Sequence, residues 1–149
     1  MNRFTFFVTT AILCSTSSMH AITPEEGRAI RVAFEDSLLA IRESGDLAQP
    51  PPGQASFVMP AEQEKRMIAL IEKGLSLSKK VTDHFLDWVH PQLKSQYRDN
   101  LIKGTQTYYD GLKAKDATKQ AEGIQLQVKW IEWWEANSTA VDNKLHRNK

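Results

Sequence analysis

Three side chains with metal-binding chemistry, Asp83, Asp87 and His90, stand four and three residues apart. On a helix that spacing places two carboxylates and an imidazole on one face, and oxygen and nitrogen donors so arranged suit zinc or copper. The same spacing also describes a solvated polar face opposite the apolar residues Val81, Phe85 and Trp88, and this simpler reading is preferred. A di-iron bundle would need paired Glu-x-x-His elements, which the sequence lacks. Nucleophilic chemistry is equally bare. Beyond Cys14 there is no cysteine, and HExxH, a phosphate-binding glycine loop and CxxCH are all missing. The segment from Gly74 to Ser78 has the small residues of a nucleophile elbow, but it falls within a helical pattern, without the strand-to-helix turn that exposes a serine. The expectation is a protein that is not an enzyme and carries no cofactor.

Binding chemistry is better represented. Trp130, Trp133 and Trp134 fall within five residues, beside Glu132 and Glu135. A helix turns about 100° per residue, so the three rings cannot point the same way. Trp134 joins Ile124, Val128 and Ile131 on one face, expected to be core and continued along the helix by Ala121, Ser138, Val141 and Leu145; Leu126, Trp130, Trp133 and Ala140 share the other. A helix with two apolar faces is either enclosed by its own domain or covered by a partner. Large aromatic rings dominate protein interfaces energetically. Leu126, Trp130, Trp133 and Ala140 are therefore the candidate protein-binding residues, with a protein partner or a homodimer as the expected occupant.

The elements that must position these residues read as helices. Thr23-Pro24-Glu25-Glu26 is a capping box with proline in the first turn, and Ile30, Ala33, Phe34, Ser37, Leu38 and Ile41 then recur at helical spacing. Ser44-Gly45 is the expected stop, giving a first helix over 24–43. Residues 44–59, with three prolines in succession at 50–52, form a long linker. Pro60 opens a second helix expected to run to residue 90, along a four-three stripe from Met67 to Trp88. Its one weak point is Gly74. Pro91 forces a corner. A third helix follows over 91–114, in which Gly111 offers an early stop, and Asp116 caps a fourth over 117–145. Residues 123–130 also alternate with period two, as a strand would, but no partner strand is evident and helix is preferred. The expected fold is all-α: one four-helix bundle-like domain with a proline-rich linker between its first two helices.

The leader sets the compartment. Arg3, an apolar run from Phe4 of about 11 residues, and small residues up to Ala21 follow the order of a cleavable export signal, residues 1–21. A membrane-spanning helix needs about 20 apolar residues, so no stable membrane anchor is expected. Cleavage leaves residues 22–149, enough for one domain with a hydrophobic core. It removes Cys14 and Arg3, which takes the net charge from +1 to zero. That balance gives no reason to expect nucleic acid as a partner. The combined expectation is an exported protein, periplasmic or secreted, that acts by protein–protein binding as an inhibitor, an immunity-type protein or an accessory subunit. The alternative is a periplasmic bundle that binds a small ligand or a metal. Intact-mass measurement on exported protein should find an N-terminus near Ile22; full-length protein retained in the cytosol with Met1 present would refute the compartment.

Overall fold

The computed structural model describes residues 23–50, 52–53 and 57–147; the expected export signal lies outside them. Every regular element among these residues is helical. Helix α1 spans Pro24–Ala48, and its N-terminus is the capping box: Glu26 N–H donates to Thr23 Oγ1 at 3.2 Å, and Thr23 N–H to Glu26 Oε2 at 2.9 Å. It continues past the expected stop. Ser44 is buried, its hydroxyl donating to the Ile41 carbonyl at 2.6 Å, and Gly45 has open space around it. The helix ends only at Gln49, which turns extended before Pro50, as a residue preceding proline must.

Helix α2 (Ala61–Ser78) stops well short of residue 90, and a separate helix α3 (Asp83–Val89) follows. The break falls at residues 79–82, not at Gly74. Thr82 caps the new helix, accepting from Phe85 N–H at 3.3 Å. Carbonyls at the break gain a distant donor: the Arg98 guanidinium donates to Val81 O and to Ser78 O, which also accepts from Val81 N–H, and its Nε pairs with Asp83 at 3.0 Å. Gly74 has a different task. A methyl there would stand 2.6 Å from Ile41 Cγ1 and 3.3 Å from Ser37 O, so its lack of a side chain is what seats α1 on α2.

His90 is extended and Pro91 makes the expected corner. Helix α4 then runs without interruption through Leu93–Ser95, a π-helical stretch Gln96–Ile102 and Lys103–Ala114. Gly111 does not end it. Lys115 does, in the left-handed conformation with φ of 53°. Asp116 caps helix α5 (Ala117–His146) by accepting from Lys119 N–H at 3.0 Å, so residues 123–130 are helical.

The contacts sort these helices into two antiparallel pairs, α1 with α2 and α4 with α5, with α3 between them in the chain. Phe34, Phe85, Leu86, Leu93, Tyr97 and Trp130 join the pairs in one core. None of the described helices is long and apolar enough to cross a membrane. Two glycines on helices test this packing. At Gly123 a methyl would meet the α4 backbone, 2.5 Å from Tyr108 N and 2.7 Å from Gly104 O. Gly123→Ala should therefore cost about 1–3 kcal/mol in urea unfolding. Gly45→Ala, in open space, should instead stabilise by about 0.4–1 kcal/mol.

Candidate functional site

The rotational setting of α5 decides which apolar residues are free to bind. Gly123, Trp130, Val141 and Leu145 are its buried positions. Trp130 is 6% exposed, stacked on Trp134 at 5.1 Å and edge-on to Tyr97 at 6.2 Å. Ile124, Val128 and Ile131 are 48%, 44% and 51% exposed. Between Ile124 and Trp134 the two faces expected from the sequence are thus partly exchanged. Trp130 belongs to the core, as do Val141 and Leu145 of the apolar face expected for this helix, whereas Ile124, Val128 and Ile131 of that face stand about half in solvent and Trp134 is half-buried. The cause is Gly123, which lets α5 lie against the α4 backbone and turns everything one residue away from it outward.

The four residues grouped as a binding face differ in exposure. Leu126 is half-buried against α4, where a methyl on Gly104 would lie 3.0 Å from Leu126 Cβ. Trp133 is also half-buried: its Nε1–H donates to Gln92 Oε1 at 3.1 Å, and its ring meets His90 edge-on at 5.3 Å. Ala140 is exposed. Trp130 and Trp133 are together, with ring centroids 5.6 Å apart, but Trp130 faces inward.

The acidic-histidine trio is likewise dispersed. Asp83 pairs with Arg98 and Asp87 with Lys94, each at 3.0 Å. The bond from Asp87 holds the Lys94 ammonium above its ordinary pKa. His90 lies past the end of α3, and its Nδ1 accepts from Gln92 N–H at 3.2 Å. Among the described residues no three His, Cys, Asp or Glu side chains converge as metal ligands do.

What the exchange of faces creates is an open apolar groove of about 700 Å³ between the C-terminal half of α1 and the N-terminal half of α5. Leu38 and Leu39 form one wall, Ile124 and Ile131 the other, and Ile71 and Leu101 lie between them. Leu39 is 52% exposed, so the rim on that side is apolar too. The polar groups are Arg42, Ser44 and Asp46 on α1, Gln49 at its end, Gln127 on α5, and the Tyr108 phenol, whose pKa burial pushes up. Gln127 is held in place, its Nε2 donating to Thr105 Oγ1 at 3.0 Å. Such a site can bind apolar surface and orient it, but it assembles no nucleophile with a base. The sequence pattern conceals it because Leu38, Ile124 and Ile131 have the spacing of core residues. The available signal was the set Gly104, Gly111 and Gly123, which marks the contact face of α4 and α5.

No protein-family model matches the chain, and no curated protein or solved structure matches it either. The exchange of faces is directly measurable. Trp130→Ala should cost about 3–5 kcal/mol of stability, whereas Ile131→Ser should cost less than about 1 kcal/mol. Equal losses in thermal melts would place the groove wall in the core.

Proposed function

We propose that this chain is an exported, non-catalytic helical bundle protein that acts by binding another protein in the groove between α1 and α5. The supporting observation is the exposed apolar rim: Leu39, Ile124, Val128 and Ile131 are each about half-exposed beside an apolar cavity of about 700 Å³. Contiguous apolar surface of this kind marks interaction sites. Two walls on separate helices over an apolar floor offer the slot of a missing helix, the arrangement by which grooves capture amphipathic helices. The export part of the proposal rests on Arg3, the apolar run after it and the small residues to Ala21. The non-catalytic part rests on the lack of catalytic motifs in the sequence.

A second reading, a carrier of a small apolar ligand, is favoured by the cavity volume, which falls within the roughly 300–1,000 Å³ of ligand pockets. Val128 weighs against it. It extends the apolar surface beyond the groove lining, where a small ligand would leave it uncovered.

The double substitution Ile124→Asp with Ile131→Asp separates these readings. Affinity for a partner co-purifying from the exported fraction should fall about 30-fold or more, since an interface hot spot contributes about 2 kcal/mol. The melting temperature should stay close to wild type. A partner held equally well by both proteins would remove the groove from the interface. A small-molecule adduct in native mass spectra, present on wild type and absent from the variant, would establish the carrier instead.

A further inference from the structure

Charge on the groove walls identifies the partner more closely. The stretch of α1 from Glu35 to Gln49 carries four acidic residues and one basic, a net of −3; α5 from Gln120 to Glu135 carries three and one, a net of −2. The chain as a whole is +1, so the remaining residues together carry +6. These two stretches thus carry a negative excess that the rest of the chain offsets. Several of these carboxylates stand beside the apolar rim. Glu132 follows Val128 by four residues, and Glu135 follows Ile131 by four, which places each on the same side of α5 as the apolar residue it follows. Asp46 lines the opposite wall, where Arg42 is, among the described residues, the one cation of the lining. All three acidic residues are exposed, and among the described residues none of them has an ion-pair partner.

The groove also has a length. Ile124 to Trp134 on one wall and Leu38 to Gln49 on the other each span about 15 Å at 1.5 Å per residue, or three helical turns. From these observations we infer that the occupant is a basic amphipathic helix of about three turns, its apolar face on Ile124, Ile131 and Leu39 and its lysines or arginines flanking that face. Unpaired carboxylates on both rims would then meet cations at the edge of the interface, where charge steers association and excludes wrong partners. A second copy of this chain is the poorer occupant, because a two-fold contact would bring two acidic rims together. This inference rests on the protein-binding reading above.

The test uses the purified full chain and two fluorescent helical peptides with the same leucine face, one flanked by lysines and the other by glutamates. Fluorescence anisotropy at low ionic strength should show the lysine peptide binding at least about 10-fold more tightly, with the gap narrowing as salt shortens the screening length. Glu132→Lys combined with Glu135→Lys should erase or invert that preference while leaving the thermal melt intact. Ile131→Asp should weaken both peptides. Equal binding of the two peptides, unchanged by the charge reversal, would overturn the basic partner and leave the protein-binding groove standing. If neither peptide binds and native mass spectra show an apolar small molecule, both readings fail. A dimer in sedimentation that Ile131→Asp dissociates would make the occupant a second copy.

Discussion

Two backbones touch where α4 and α5 cross at Gly104 and Gly123. A methyl at Gly123 would come within 2.8 Å of three main-chain atoms of α4, and one at Gly104 would come within 2.9 Å of Gly123 O. Any larger residue at either position must push the helices apart, and interiors packed at crystal-like density do not yield cheaply. The contact therefore sets both the distance between the helices and the rotation of α5 about its axis. Trp130, seven residues on and on the same side, is carried into the core against Tyr97. Ile124, one residue from the contact, is carried out. The groove follows from that single rotation, since residues that would have closed the core now line an opening toward α1.

Tyr97 joins this pair of helices to the other. Its ring packs on Phe34 of α1 at 5.3 Å, and its hydroxyl lies 2.6 Å from Ser37 Oγ. Ser37 already donates its proton to Phe34 O at 2.8 Å, so the phenol must be the donor in the bond between them. Burial supports this by pushing the Tyr97 pKa up from 10 to about 12. A pKa raised on folding means that the stabilisation is complete below pH about 10 and is lost as pH rises toward about 12. The π-helical stretch around it widens the turn at the centre of α4, where Tyr97 and Leu101 enter the core and Arg98 reaches back to the carbonyls at the break between α2 and α3.

The two ends of the molecule differ in how they treat exposed apolar surface. Near the α3 end, Trp88 is 48% exposed, but the Lys144 ammonium lies 4.6 Å above its ring and Trp133 is tied to Gln92. Those rings have polar neighbours within the chain. At the groove, Ile124, Val128 and Ile131 are aliphatic, with carboxylates rather than cations beside them on the helix. The contrast leaves the aliphatic side chains of the groove in water, where covering them would be favourable.

Much of the local structure was legible in the sequence because its causes lie within a few residues. The capping box at Thr23 and Glu26, the Asp116 cap and the corner at Pro91 are chemistry between near neighbours, and the helical spacing around them settled the fold class. Features that depend on distant residues were not legible. The break after Ser78 is supported by Arg98, twenty residues on, and the passage of α1 beyond Gly45 keeps Ser44 buried beneath the rest of the fold. The face of α5 was the costliest of these. Hydrophobic periodicity weighs side chains, and by that measure Ile124, Val128 and Ile131 outrank Gly123. Packing weighs distance as well, and a residue with no side chain permits the closest approach. Sequence alone therefore determined that α5 has two apolar faces, while only the meeting of two glycine backbones decided which residues the protein buries and which it leaves exposed.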